Sequence, residues 1–200
     1  MRKNLTLQQK YNKAIKENRR LKMLAYQDDL TGLPNNRAFE QSFSEAVGKS
    51  EPFALLFLDV DNFGQLNKTY SHKSADEVVR QIAFNIQNGI RRQDKFIPAK
   101  QTLVARYAGD EFFILLSHAD VESAYQVAER LRKKIQRSTY YLDEERTYKL
   151  PQKITVSIGA AVYPFHGRTE NALRNCVEKG LQIAKKQGKA QVALAPKEEV

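Results

Sequence analysis

The order of apolar runs along the chain constrains its fold more than any other feature. FALLFLD (53–59), LVARY (103–107), FFILL (112–116) and ITVSIGAAVY (154–163) are short, apolar and bounded by polar punctuation, so they read as strands. Between the first and second lies ADEVVRQIAFNIQNGIRR, whose Val78, Val79, Ile82, Ile86 and Ile90 recur at helical spacing. Between the third and fourth, a helix is expected from about Asp120 to Gln136, with Tyr125, Ala128, Leu131 and Ile135 inward. Strand, helix, strand, strand, helix, strand is the split βαβ order of a ferredoxin-like βαββαβ palm, an α+β fold. A further helix from Arg37 to about Val47, with Phe39, Phe43 and Val47 on one face and Gly48 ending it, precedes the palm. A helix from about Glu170 to Lys186 and a short strand, QVALA, follow it.

That topology has a chemical consequence. Right-handed crossover makes the first two strands parallel, with the third antiparallel between them. The C-terminal end of the first strand, with Asp59 and Asp61, then meets the hairpin carrying Asp110 and Glu111, where Gly109-Asp110 is a two-residue turn signal. Each acidic pair alone fits a solvated turn. Four carboxylates at one edge would repel and raise one another's pKa unless a cation compensated them, and hard oxygen ligands with open water positions suit magnesium. Magnesium so held commonly serves phosphate chemistry.

Before the palm, residues 5 to 27 read as a helix with Leu7, Tyr11, Ala14, Asn18, Leu21 and Ala25 spaced alternately four and three apart. This is either the seam of a two-stranded coiled coil or a single amphipathic helix lying on its own domain. QDDLTGLPNNR then breaks the helix, giving an N-terminal signalling or coiled-coil helix (1–27), a domain (28–196) and a tail (197–200). Of the formal charge of +10, residues 1 to 27 hold +7, with eight Lys and Arg against Glu17. A nucleic-acid binder would carry its basic patch on the folded domain, and no strand shows the paired exposed aromatics of an RNA-recognition sheet, so a nucleic-acid partner is not expected. The concentrated charge points to tethering or membrane-surface contact by that helix, or by a region preceding it. Cys176 stands alone and reads as a small core residue, which fits a reducing compartment. No signal peptide or ~20-residue apolar span is legible, so a cytoplasmic chain, or the cytoplasmic part of a larger or membrane-bound receptor, is expected.

RYAGDEF (106–112) resembles the RYGGDEF signature of the GGDEF family, the diguanylate cyclases of bacterial signalling. DDLTGLPNNR (28–37), FLDVDNF (57–63), NKTYSHKSADEVV (67–79), ITVSIGAA (154–161) and AKKQGKAQV (184–192) are similar to further blocks of that family, in order. The resemblance implies that two GTP molecules are condensed to cyclic di-GMP and pyrophosphate across a homodimer, with magnesium, or manganese in its place. Asp59, the Val60 carbonyl and Asp110 would hold the metal. Asp110 would also help deprotonate the attacking hydroxyl, and Glu111 would complete the acidic set. Asn67 and Asp76 would hydrogen-bond guanine, a donor and acceptor pair suited to that base, with Asp76 also expected to cap the helix after Ala75. The amides of Asn62, Phe63 and Gly64 would cradle phosphate, assisted by Lys185 and Lys189, four apart on one helical face. Arg37 and the DDLTGLP turn would be structural. Arg91 and Asp94 match the family's RxxD product-inhibition motif.

The chain departs from the pattern at five positions. Ala108 replaces a glycine, Gly64 stands where many members have a phosphate-contacting lysine, Ser71 and Ala75 replace glycines, and Lys189 replaces an arginine, losing its bidentate fork. These departures keep an alternative open, a degenerate domain that binds GTP or cyclic di-GMP as a sensor or scaffold without turnover. If Gly109 is the left-handed residue of the turn, Ala108 is tolerable.

Overall fold

The computed structural model describes residues 6–90 and 102–195. Helix α1 (Leu7–Tyr26) opens on a capping box in which the Thr6 hydroxyl accepts from the Gln9 amide and the Gln9 side chain accepts from the Thr6 amide. It buries none of its residues, and Leu7, Tyr11 and Leu21 are 85%, 61% and 57% exposed. Of the two readings of its apolar stripe, a helix lying on its own domain is not what forms.

Only the C-terminal end of α1 is fastened. Asn35 Nδ2 donates to the carbonyls of Ala25 (3.1 Å) and Gln27 (3.2 Å), while Asn35 Oδ1 caps α2 (Asn36–Lys49) by accepting from the Ala38 amide at 3.1 Å. One side chain thus joins two helix ends. Gly48 does not end α2, because Ser50, at φ 55°, takes the left-handed terminating position.

The central sheet has the order β2-β3-β1-β4-β5. β1 (Phe53–Val60) pairs antiparallel with β3 (Glu111–Ser117), and β3 pairs antiparallel with β2 (Thr102–Ala108), so β1 and β2 are parallel as expected. β4 (Val156–Tyr163) runs antiparallel to β1, and β5 (Val192–Leu194) parallel to β4. Strand alternation sends Ala54, Leu56, Leu58 and Val60 to a core shared with α4 (His72–Ile90) and α5 (Val121–Arg137). Phe53, Leu55 and Phe57 face the opposite core, shared with α2 and α6 (Glu170–Lys186), where Phe113 stacks between Phe39 and Phe57 at centroid distances of 4.3 and 4.2 Å. Asp59, two residues after Phe57, therefore points to the α6 side.

How closely α6 lies on the sheet is set by two facing glycines. A Cβ on Gly159 would overlap the Val177 carbonyl and the Leu181 amide, and one on Gly180 would sit 2.9 Å from the Ala193 carbonyl. Only glycines permit that approach, and it delivers the last turn of α6 to the end of β1.

Three local expectations are corrected. A short helix, α3 (Phe63–Thr69), follows β1; seven residues are too few for periodicity to reveal. α4 starts at His72 and the Ser71 hydroxyl accepts from the Ser74 amide, so Asp76 lies inside the helix and does not cap it. In α5 the inward stripe extends from Ala128 to Val127 and Ala124, leaving Tyr125 40% exposed. Among the described residues no helix is long and apolar enough to cross a membrane.

Candidate functional site

The site begins at the hairpin between β2 and β3. The pairing slips between Arg106 and Ala108, and Gly109 makes the turn at φ 49°. Ala108 stays in β2 and carries no positive φ, so the departure there is tolerated.

Two contacts hold the hairpin tip. The Val60 amide donates to the Asp110 carbonyl at 3.4 Å, tying the end of β1 to the turn. On the other side, Arg106 Nε donates to the Gly109 carbonyl at 2.8 Å, and Arg106 Nη1 donates to both oxygens of Asp28 at 3.1 and 3.0 Å. The Thr31 amide and hydroxyl also donate to Asp28 Oδ1, at 2.8 and 2.7 Å. Burial alone would push the Asp28 carboxyl up, but these bonds from Thr31 and Arg106 hold it below its ordinary value. The DDLTGLP turn is thus a clamp on the signature hairpin, consistent with the structural role expected of it.

Three carboxylates crowd beside this clamp. Asp59 and Glu111 are direct partners in the β1–β3 ladder, and Asp110 is next along the turn. Partial burial and then the Asp59 charge, with Glu111 adding, push Asp110 up to about 6, while Lys185 opposes the shift. Glu111 is raised by burial and then by Asp59. The compensating cation from the protein is Lys185, whose Nζ lies 2.7 Å from Asp59 Oδ2.

Asp61, expected in the same set, is turned elsewhere. Its oxygens accept from Thr155 Oγ1 (2.8 Å), Ser157 Oγ (2.7 Å) and the Ala190 amide (3.0 Å), and the residue is buried. Asp61 pins the turn after α6 to the end of β1. That turn holds Lys189, which is not on the helical face of Lys185, since α6 ends at Lys186 and Lys189 has φ 65°. Both lysines still reach the site, Lys189 by donating to Asn62 Oδ1 at 2.6 Å.

Asn62, at φ 60°, turns the chain from β1 into α3, and the Gln65 and Leu66 amides return to its carbonyl. The first amides of a helix have no intrahelical acceptor, so those of Phe63 and Gly64 stand at the positive end of α3. A Cβ on Gly64 would meet nothing within 4 Å. Asn67 is half-buried on α3 and Asp76 is exposed on α4, the next helix along and packed against it. Ala75 is buried in the core. Arg91 and Asp94 lie outside the described residues.

Among the described residues no group of three or more His, Cys, Asp or Glu side chains is arranged to hold a metal unaided. The expected set is smaller than that, two carboxylates and a carbonyl, which suits magnesium because it keeps waters and takes phosphate oxygens. The mutual repulsion of Asp59, Asp110 and Glu111 is what a divalent cation would relieve. Sequence reasoning missed the capping role of Asn35 and the inward turn of Asp61. The Asp-x-x-Thr spacing of Asp28 and Thr31 was the available signal for the clamp.

A model of the family described as "Diguanylate cyclase, GGDEF domain" matches residues 25–191. The chain is 32% identical over 175 residues to "Probable diguanylate cyclase DgcT" of Escherichia coli, covering 86% of this chain and 36% of that protein. It is 33% identical over 184 residues to "Diguanylate cyclase TpbB" of Pseudomonas aeruginosa, covering 90% of this chain and 39% of that one. The chain therefore spans little more than a third of the length of either relative. Among solved structures, the GGDEF domain of TpbB superposes with a TM-score of 0.74 at 31% identity, covering 86% of this chain and 95% of that one. The coiled coil and GGDEF domain of DgcB from Caulobacter crescentus, in complex with c-di-GMP, gives 0.78 at 23% identity, covering 93% and 94%; that likeness speaks for the fold alone. The chain belongs to the GGDEF family of diguanylate cyclases.

Proposed function

We propose that this domain condenses two GTP molecules into cyclic di-GMP with loss of pyrophosphate, one GTP being held by each of two facing domains. The observation that carries the reading is the crowding of Asp59, Asp110 and Glu111 beside Lys185, one residue turn away from the amides of Phe63 and Gly64. Repelling carboxylates next to phosphate-binding amides make sense where a cation and a polyphosphate meet.

In this reading Asp59, the Val60 carbonyl and Asp110 hold magnesium, or manganese in its place, with Glu111 completing the acidic set. The cation, when bound, would neutralise phosphate charge and polarise the α-phosphoryl group. The ribose 3′ hydroxyl of one GTP attacks the α-phosphorus of the other; the bond to the β-phosphate oxygen breaks and pyrophosphate leaves. Asp110, with its raised pKa, accepts the hydroxyl proton. The step then repeats in the opposite sense, closing the ring. Lys185, Lys189 and the Asn62–Gly64 amides bind phosphate oxygens, and Asn67 and Asp76 bind guanine. The catalytic unit is residues 28–196, with 1–27 an N-terminal signalling helix and 197–200 a tail, in a cytoplasmic setting.

A second reading, nucleotide binding without turnover, is favoured by one observation: Gly64 offers no side chain where the family commonly has a phosphate-contacting lysine. Incubating the chain with GTP and magnesium separates the two readings. Cyclic di-GMP and pyrophosphate appearing together support the cyclase, and tight GTP binding with no product overturns it.

A further inference from the structure

Asp61 takes no place in the acidic cluster, and what its carboxylate holds instead explains how Lys189 reaches the site. We infer that Asp61 is the positioning residue of Lys189: through the Ala190 amide it fixes the left-handed turn that aims the lysine at the end of β1. The role rests on the proposed phosphate contact of Lys189 and adds a residue which that proposal does not use.

The backbone after α6 is what needs holding. Gly188, Lys189 and Ala190 have φ of 112°, 65° and 49°, three left-handed residues in succession. Glycine adopts such a conformation freely, whereas lysine and alanine crowd their Cβ against the following carbonyl oxygen. Asparagine or aspartate could steady the turn with a local side-chain bond, which neither Lys189 nor Ala190 can supply. A run of this kind persists only where its surroundings over-determine it.

Three bonds do so. The Lys189 amide donates to the Ala184 carbonyl at 3.0 Å, the Ile158 amide donates to the Gln191 carbonyl at 3.0 Å, and between them the Ala190 amide donates to Asp61 Oδ2 at 3.0 Å. The first two are backbone bonds at the end of α6 and the start of β5. The third alone of these depends on a side chain, and a carboxylate is a stronger acceptor for a backbone N–H than a neutral oxygen.

Asp61 is itself firmly placed. Its amide donates to the Thr155 carbonyl at 2.9 Å, and its carboxylate accepts from Thr155 Oγ1 and from Ser157 Oγ. Asp61 and Ser157 are buried where the end of β1 meets the start of β4, so the anchor is as rigid as the sheet. The next residue completes the arrangement, because Lys189 Nζ donates to Asn62 Oδ1. Residues 61 and 62 thus meet residues 190 and 189 in turn. A lysine is a point charge on a flexible stem, and Lys189 is exposed, so its reach is decided by the backbone that carries it.

Two substitutions separate the anchor from the bulk of the side chain. Asp61→Asn keeps an oxygen for the Ala190 amide, and its NH2 can donate to Ser157 Oγ, since a hydroxyl accepts as well as donates. Asp61→Ala keeps neither bond and leaves buried donors unpaired. Should that variant not fold, Asp61→Ser, whose hydroxyl falls short of the Ala190 amide, takes its place with the same expected losses.

The test is calorimetric titration of the full chain with a non-hydrolysable GTP analogue in chelator, where a divalent cation plays no part, on variants whose folding is confirmed by thermal unfolding. Lys189→Ala should lose about tenfold in affinity. Asp61→Ala should lose as much in the native background and nothing further in the Lys189→Ala background, while Asp61→Asn should stay within about twofold of native. A merely structural Asp61 would lower affinity equally in both backgrounds. Such an additive loss, native affinity in Asp61→Ala, or a loss in Asp61→Asn as large as that in Asp61→Ala would overturn the inference and leave Lys189 as a phosphate contact. Native affinity in Lys189→Ala would overturn that contact, and the positioning role with it.

Discussion

Lys185 Nζ lies 2.7 Å from Asp59 Oδ2, so the lysine proposed to bind phosphate also neutralises the first carboxylate of the proposed metal set. One cation placed between two anionic groups couples them: what binds Asp59 changes what Lys185 can offer to a triphosphate.

Replacing Lys185 by Met should therefore act twice. It removes a phosphate contact and it removes the charge that opposes the upward shifts of Asp110 and Glu111. GTP affinity should fall about tenfold, close to 1.4 kcal/mol, by calorimetric titration. The pKa of Asp110, followed by carboxyl NMR in metal-free protein, should rise above about 6.

Asp110 carries a stability cost when ionised. A carboxyl raised from 3.8 to about 6 binds its proton more tightly in the folded state, so its contribution falls as pH rises from about 4 through 6. In chelator, Asp110→Asn should stabilise the fold at pH 8 by roughly 1–2 kcal/mol after discounting for solvent screening. The difference should shrink as pH falls through 6 and vanish only below about pH 3, under the 3.8 of the unfolded carboxyl, where the group is neutral in both states. Thermal denaturation at the two pH values reads the effect, while turnover by the variant should be lost.

The Asp28–Arg106 clamp joins residues 78 positions apart at side-chain exposures of 21% and 14%. Arg106→Ala leaves a partly buried carboxylate without its partner and should cost about 2–3 kcal/mol in denaturant unfolding. Arg106→Lys should not restore it, because an ammonium cannot span both Asp28 oxygens and the Gly109 carbonyl.

Gly64 can accept a side chain, since its φ is not positive and a Cβ there is unobstructed. Gly64→Lys should tighten GTP binding about tenfold, equal to ~1.4 kcal/mol, with unfolding stability unchanged or slightly raised, as glycine is a poor helix residue. Unchanged affinity in a folded variant would place the triphosphate away from this turn.

Much of this arrangement was legible because it rests on periodicity and order. The strand and helix runs gave the palm, and the palm's connectivity brought Asp59 to Glu111 across the β1–β3 ladder. What stayed hidden depends on side-chain direction or on short segments. Asp61 sits one residue beyond a strand end, where alternation no longer says which way it points, and three donors draw it inward. Lys189 looked helical by its spacing from Lys185, yet Gly188 and its own left-handed backbone carry it around a turn. α3 is too short to show a period, and Asn35 gives no sign in sequence that its amide nitrogen reaches back to α1.

The most direct test of the cation at the centre of this account is calorimetric titration with a non-hydrolysable GTP analogue, in magnesium and in chelator, on the native chain and on Asp59→Asn. Binding should be at least tenfold tighter with magnesium, and Asp59→Asn should erase that gain, its affinity in chelator being equal to or tighter than that of the native chain because Lys185 is freed. Equal affinity in magnesium and chelator, or a magnesium gain that survives Asp59→Asn, would contradict it.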